Sequence, residues 1–527
     1  METTFIPQVL NVFSPIFGFA TLYFALSARL PIRAQTSAEF YVVYTQDGTI
    51  RLPDHPLSGR VVEMKGLELP GATISELSQL IRKRSLSPVD LTQACIDRCE
   101  RLDPILKAIT TMTPEYALQR ARQAETEIVK GSYRGPLHGI PYTLKDVIAT
   151  SSIRTTFGNP REVDFKPADS ATVHVRLEEA GAVLLGKVYS HIGRGDNPVM
   201  CYSPWDPTTS PGTTSSGSGA AVASGMSPLS IGTDTGGSVR HPASNCGLVG
   251  FKATFGRISR FGVWATSWTT DQAGPITRTV EDNAIAMETL AAYDAQDPVS
   301  INADPTQYRT ALEDGVKGLK IGLPRDTWVW KEWIDQDEED AVRHAVGVLE
   351  ELGAEVIEVD IPLAYQARNN SLAAEGPVWL RDNFSEEVLQ EWVEVHAQLE
   401  RGDQQTFAEY LHGQQTRMAI RQEAVGVLKQ VDAIAIPTGS TIGDKWDATT
   451  AIIRGRTVPA RSRAVYLNGM ASQTGLPAIS IPCGFAKEGR FPVGLQLIGR
   501  DLEEALLLRV AFAYEQAANW RMQHPPL

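Results

Sequence analysis

The stretch PGTTSSGSGAAVASGMSPLSIGTDTGGSVRHP, residues 211–242, is the part of this chain from which its fold and chemistry are best inferred. It is rich in serine and threonine, and its glycines cluster at 217–219 and again at Gly236 and Gly237. A flexible Gly/Ser linker is one interpretation of such a composition. The apolar run at 220–223 indicates packed structure instead, so we interpret the stretch as two glycine-rich loops that present hydroxyl groups.

A hydroxyl becomes a nucleophile when a base takes its proton. The chain has no G-x-S-x-G nucleophile motif, and His241, which precedes a proline, is better explained as a structural residue. The stretch GIPYTLKD, residues 139–146, instead ends an apolar, strand-like run with Lys145. Apolar surroundings penalise the charged form of a lysine and lower its pKa, so Lys145 is the candidate base.

Together these motifs resemble the amidase signature family of serine hydrolases, which use a Ser-Ser-Lys triad. The motifs that carry the resemblance are GIPYTLKD (139–146), TSSGSGAAVASG (214–225), GTDTGGSVRHPA (232–243), DQAGPITRTVED (271–282), TGLPAISIPCGF (474–485) and PVGLQLIGR (492–500). The resemblance covers about residues 67–518. It implies an α/β fold, in which a single large domain has a central mixed β-sheet covered by helices on both faces.

The resemblance also assigns roles to individual residues. It places the acyl-forming nucleophile on Ser238, the base on Lys145, and the relay, which is a serine in the family, on Thr214. A threonine keeps the hydroxyl that a relay needs, but its methyl group adjoins a peptide bond that the family holds in the cis form. Ser215 is expected to support the relay, and a shifted register in which Ser215 takes its place stays open.

The implied reaction is hydrolysis of the C–N bond of a small-molecule amide through an acyl-enzyme on Ser238. The substrate could be apolar. Backbone N–H groups of Thr235, Gly236, Gly237 and Ser238 are the expected oxyanion hole. Two alternatives stay open, namely a glutaminase subunit of an amidotransferase and a catalytically weakened or silent protein with the same fold. No cofactor and no metal is expected.

Composition narrows the classes of function. The 527 residues are 43% hydrophobic and 21% charged, which is typical of a globular protein. Forty-nine basic against 62 acidic residues give a net charge of −13, so nucleic-acid binding is not expected. Five scattered cysteines indicate free thiols and neither a disulfide framework nor a metal site. Composition leaves the oligomeric state open, a homodimer included.

The N-terminus carries the uncharged run VLNVFSPIFGFATLYFAL, residues 9–26, followed by Arg29 and Arg33. Its length is near the minimum for a membrane span. We interpret residues 1–35 as a hydrophobic segment and favour an anchor, in contact with the membrane through residues 9–28, that leaves the catalytic domain in the cytoplasm. A cleaved signal of a secreted protein, or a buried or interfacial helix of a soluble cytoplasmic protein, stays open.

The rest of the chain is interpreted as a connector, 36–66, and a catalytic domain, 67–527. The connector holds two strand-like runs, FYVVY and TIRL. In the domain, Thr73 with Glu76 forms a capping-box pattern, and Ser87 before Pro88 predicts a second helix start. Short β-branched runs such as KIGLP and AIAIP alternate with helical periodicity further on, which also indicates an α/β fold with a covered sheet.

Overall fold

The computed structural model describes residues 69–157, 164–190, 201–212, 214–264, 267–368, 372–439, 443–460, 462–486, 490–518, 520 and 523–527, with 43–44 and 50–51 before them. The chain divides into two compact units, 1–66 and 67–527. In the first unit, β1 (Val43–Tyr44) and β2 (Ile50–Arg51) pair antiparallel. These strands lie in the FYVVY and TIRL runs, as predicted.

The proposed hydrophobic segment, 1–35, lies outside the described residues. Within the part of the chain that the structure describes, no helix is long and apolar enough to cross a membrane. The predicted anchor, its membrane contact through residues 9–28 and the cytoplasmic placement of the catalytic domain lie outside the described residues and stay predictions.

Local sequence signals account for the first helices of the second unit. Thr73 caps the first helix, because its side chain accepts a hydrogen bond from the Glu76 N–H while the Glu76 side chain accepts from the Thr73 N–H. Ser87 caps the next helix with its side chain, and Pro88 stands at the first position of that helix. The helices are α1 (Ile74–Arg82), α2 (Pro88–Leu106), α3 (Pro114–Val129), α4 (Thr172–Glu179), α5 (Ser216–Ala223), α6 (Arg240–Cys246), α7 (Val280–Leu290), α8 (Gln336–Glu351), α9 (Glu375–Asn383), α10 (Glu386–Glu391), α11 (Val393–Gln404), α12 (Phe407–Leu428), α13 (Ser462–Thr474) and α14 (Glu504–Ala518).

The strands of this unit are β3 (Ile109–Met112), β4 (Pro141–Lys145), β5 (Val183–Val188), β6 (Leu229–Asp234), β7 (Val249–Lys252), β8 (Gln272–Thr277), β9 (Lys320–Pro324), β10 (Glu355–Val359), β11 (Ala433–Pro437), β12 (Thr450–Ile453), β13 (Arg456–Pro459), β14 (Ala478–Ala486) and β15 (Phe491–Ile498). In the described part of this unit, eleven strands form one sheet in the order β10-β9-β11-β15-β14-β7-β8-β6-β4-β5-β3. Strands β12 and β13 form a separate two-stranded sheet.

The large sheet is mixed, as predicted. Strand β4 runs parallel to β5 and β6, whereas β8 runs antiparallel to β6. Every residue of β4, β5, β6, β7 and β8 is buried, which requires that both faces of the sheet be covered. The motifs GIPYTLKD and GTDTGGSVRHPA therefore enter the core on neighbouring parallel strands, and the candidate site residues lie where β4 and β6 end.

Candidate active site

Lys145 is the last residue of β4, and its side chain is only 1% exposed. Its Nζ donates hydrogen bonds to Oγ1 of Thr214 at 2.6 Å and to Oγ1 of Thr233 at 2.7 Å. Burial lowers the pKa of Lys145 to about 7, although the nearby carboxylates of Asp271 and Asp234 partly oppose the shift. A lysine of this pKa is uncharged in a large fraction of molecules at neutral pH, which a general base requires.

The structure joins the predicted base to the predicted relay position. Thr214 lies just before α5 and reaches the Lys145 amine with its hydroxyl. The hydroxyl of Ser215 is used elsewhere, since it donates to the carbonyl of Thr233 at 3.1 Å and accepts from the N–H of Thr233 at 3.2 Å. This arrangement favours Thr214 over Ser215 as the relay. The peptide bond expected in the cis form precedes Thr214 and involves Thr213, which lies outside the described residues.

Ser238 lies in the turn between β6 and α6, with a side chain that is 8% exposed. The carboxylate of Asp234 fixes this turn from both sides of Ser238, because it accepts from the N–H of Gly237 at 2.8 Å and from the N–H of Val239 at 3.2 Å. Gly237 is required here: its φ is +110°, and a Cβ would lie 2.5 Å from a side-chain atom of Asn468. The backbone around the candidate nucleophile is thus held rigidly.

A buried ion pair supports this turn. Arg240 donates to both carboxylate oxygens of Asp234, at 2.9 and 3.0 Å, and neither side chain is exposed. The same guanidinium donates to the Ser472 hydroxyl at 2.7 Å and to the side-chain oxygen of Gln496. Burial alone would raise the pKa of Asp234, but the charge and hydrogen bonds of Arg240 hold that pKa well below its usual range. Asp234 therefore stays ionised and acts as a structural acceptor, not as a proton donor.

The hydrogen bond from Gly237 bears on the predicted oxyanion hole. Its N–H donates to Asp234 in this structure, which makes Gly237 a weaker candidate than the other members of the predicted set. Among the described residues, no atom lies within 4 Å of the position that a Cβ of Gly236 would take, so the backbone there borders open space. Thr235 and Gly236 remain the best candidates to stabilise an oxyanion, together with Ser238 itself.

A second buried lysine lies behind the first. Lys187 on β5 places Nζ 3.7 Å from Oδ1 of Asp146 and donates to the carbonyl of Ile148 and the hydroxyl of Thr155. Asp146 also accepts from the N–H of Thr156 at 3.0 Å. Since Asp146 directly follows Lys145, these contacts fix the end of β4 and, with it, the direction of the Lys145 amine. Neither this pair nor Thr233 was foreseen from the sequence as part of the site.

The family model described as Amidase matches residues 90–508. The chain belongs to the amidase signature family. Its relatives in that family include a glutamyl-tRNA(Gln) amidotransferase component from Chloroflexus aurantiacus, which is 36% identical over 502 residues, or 87% of this chain and 99% of the relative. The predicted family is therefore confirmed.

Solved amidase signature structures share the fold. A bacterial aryl acylamidase of the family is 25% identical, with a TM-score of 0.76 over 85% of this chain and 97% of its own. An inhibitor-bound structure, described as a vestigial protein complex that reveals the evolutionary origins of an s-triazine catabolic enzyme, is 27% identical. Its TM-score is 0.78, over 85% of this chain and 99% of its own. The mixed sheet with its helices is thus the fold of the family.

Proposed function

We propose that this chain cleaves the C–N bond of a carboxylic amide, with Ser238 as nucleophile, Thr214 as relay and Lys145 as base. The observation that supports the proposal best is the 2.6 Å contact between the buried Lys145 amine and the Thr214 hydroxyl. Burial favours a neutral amine, and a neutral amine next to a hydroxyl is what a proton relay needs.

The reaction proceeds in two steps. The neutral amine of Lys145 accepts the Thr214 hydroxyl proton while Thr214 takes the proton of Ser238, whose Oγ bonds to the amide carbonyl carbon. The backbone at Thr235 and Gly236 stabilises the oxyanion that forms. The C–N bond then breaks, and the proton returns through Thr214 to the leaving nitrogen. Water, activated by the same relay, hydrolyses the acyl-enzyme.

For the identity of the amide, the relatives support the glutaminase alternative better than a general amidase. The Chloroflexus relative, which is named as part of an amidotransferase, is similar over nearly its whole length. In this use, glutamine is hydrolysed and its ammonia passes to a partner protein. Because this chain has a net charge of −13, it is poorly suited to hold tRNA itself, so the RNA would be bound by the partner.

A stand-alone amidase for an apolar substrate is the second candidate, and an aromatic cluster beside the base favours it. Trp264 stacks on Trp379 at 5.0 Å and meets the edge of Phe157 at 4.8 Å. The backbone N–H of Trp264 donates to the carbonyl of Val147, and that of Phe157 donates to the carbonyl of Asp146. The cluster is therefore attached to the two residues that follow Lys145, and its rings would suit an aryl or aliphatic acyl group.

The two candidates are separated by assaying the purified full chain with glutamine and with an N-acyl anilide, measuring ammonia and arylamine release. Glutaminase activity that depends on a partner supports the first candidate, and arylamine release by the chain alone supports the second. Both require that Ser238→Ala abolish turnover and labelling by a fluorophosphonate, and that Lys145→Met do the same. Labelling that persists in Ser238→Ala contradicts the proposed nucleophile.

A further inference from the structure

Asp271 is a buried carboxylate that the proposed triad does not use. It directly precedes β8, whose first residue, Gln272, pairs with Asp234 at the end of β6. By this register Asp271 lies across from Thr235, at the edge of the sheet where Lys145 ends β4. Its side chain is only 3% exposed.

Two contacts of the short loop 267–271 fix this carboxylate. The N–H of Ser267 donates to Oδ2 of Asp271 at 2.9 Å, and the carbonyl of Ser267 accepts from the N–H of Asp271 at 2.9 Å. Arg260 donates to the backbone carbonyls of Trp268 and Asp271 and places its guanidinium over the Trp268 ring at 4.6 Å. The loop is therefore a closed turn that holds Asp271 in one place.

A second carboxylate anchors this loop to the helical region that follows β10. Glu375 on α9 accepts from the Ser267 hydroxyl at 2.7 Å and from the N–H and hydroxyl of Thr269 at 3.0 and 2.9 Å. Arg417 on α12 donates to the hydroxyl and the carbonyl of Thr269 at 2.7 and 3.0 Å. Helices α9 and α12 thus hold the turn that carries Asp271.

The two carboxylates near Lys145 differ in how their negative charge is compensated. Two carboxylates act on the amine, Asp271 and Asp234. The charge of Asp234 is compensated by Arg240, which binds both of its oxygens, and the buried Lys252 also acts on it. Asp271 accepts a hydrogen bond from a neutral donor, the N–H of Ser267. The cation beside it, Arg260, makes its own pair with Asp297 at 3.7 Å.

We propose that Asp271 is a positioning residue for the base: its carboxylate stabilises the ammonium that Lys145 becomes when the relay delivers the proton. The inference rests on the proposed function, because it assumes that Lys145 accepts a proton during acylation. Burial raises the pKa of Asp271 to about 6, whereas the nearby charges of Lys145 and Arg260 oppose that shift and favour the ionised carboxylate. The loop anchored by Glu375 holds the Asp271 carboxylate in a fixed position relative to the Lys145 amine.

The test is the pH dependence of acylation in Asp271→Asn. Asparagine keeps the acceptor for the Ser267 N–H but removes the charge. The rate of Ser238 labelling is plotted against pH, and the midpoint of this profile should move down by about one pH unit. The plateau rate should also fall, because a less basic amine is a weaker base. A lower plateau with an unchanged midpoint would mean that Asp271 is only structural, and would overturn the inference.

Glu375→Gln is the matched control. It removes a carboxylate from the same network, but one that contacts the loop through Ser267 and Thr269, away from the side chain of Asp271. Its midpoint should equal that of the wild type; a shift as large as that of Asp271→Asn would assign the effect to a loosened loop and overturn the inference.

A readout without turnover separates failure of this inference from failure of the proposed function. The full chain carrying [ε-¹³C]lysine is titrated by NMR, and the Lys145 signal is identified by its loss in Lys145→Met. Wild-type protein whose Ser238 is never labelled counts against the proposed function. A Lys145 titration that is identical in wild type and Asp271→Asn counts against the inference, whether or not the protein is active.

Discussion

The hydroxyl of Thr233 lies 2.7 Å from Nζ of Lys145. The candidate base therefore has a second hydroxyl partner besides Thr214, although a linear relay requires only one. Thr233 is on β6, next to β4, where Leu144 pairs with Ile231. When the amine is neutral, it can donate to Thr233 while its lone pair accepts from Thr214. This geometry predicts that Thr233 orients the lone pair toward the relay.

Thr233→Val is expected to slow acylation about tenfold at neutral pH, because the amine loses one hydrogen bond and with it a fixed orientation. Valine has the shape of threonine, so packing is retained. The measurement is the rate of fluorophosphonate labelling, with Thr233→Ser as the control that restores the hydroxyl. A Thr233→Val protein as fast as the wild type would show that Thr214 alone orients the base.

Thr214→Val is expected to reduce the acylation rate by about 100- to 10,000-fold, since the proton path between Ser238 and Lys145 is broken. Thr214→Ser should be at least as fast as the wild type, because it keeps the hydroxyl and removes the methyl group. Steady-state hydrolysis and labelling are compared in both variants. If Thr214→Val stays active while Ser215→Ala is inactive, the relay is Ser215.

The rate constant kcat/KM should rise about tenfold per pH unit below about pH 7 and level off above it. The reason is the pKa of Lys145, which burial lowers to about 7, because the protonated amine cannot accept the relay proton. The profile is measured from pH 5 to 9 with a neutral amide substrate. A rate that is independent of pH down to pH 5 would contradict a lysine base.

Much of the fold could be predicted from the sequence, because its signals are local. The capping box at Thr73 and the strand KIGLP, which is β9 (Lys320–Pro324), depend on neighbouring residues and were located correctly. The order of the strands could not be predicted in the same way. Strand β7 lies between β14 and β8, and because β14 comes from a distant part of the chain, only tertiary packing decides such a pairing.

Site residues could be predicted from the sequence where a motif identifies the residue. They could not be predicted where contacts between neighbouring strands determine which side chains meet. Lys145 and Thr214 were identified, and the structure brings them together. Thr233 was missed, although it lies in the quoted GTDTGGS motif, because its role follows from the register of β6 against β4. The role of the Gly237 N–H as an oxyanion donor stays a prediction, and in this structure that N–H donates to the side chain of Asp234.

Asp234→Asn should both destabilise the domain and slow acylation, because Arg240 would then carry a buried charge without a counter-ion. Loss of one partner of a buried ion pair costs about 3–5 kcal/mol, and the turn around Ser238 loses its anchor at the same time. The free energy of unfolding is measured in urea, and labelling is measured at a temperature where the variant is folded. Asp360→Asn is the control, since Asp360 pairs with Arg325 on the surface, with both side chains more than half exposed, and should change stability little. An Asp234→Asn protein with the stability of that control would show that the Asp234–Arg240 pair does not support the nucleophile turn.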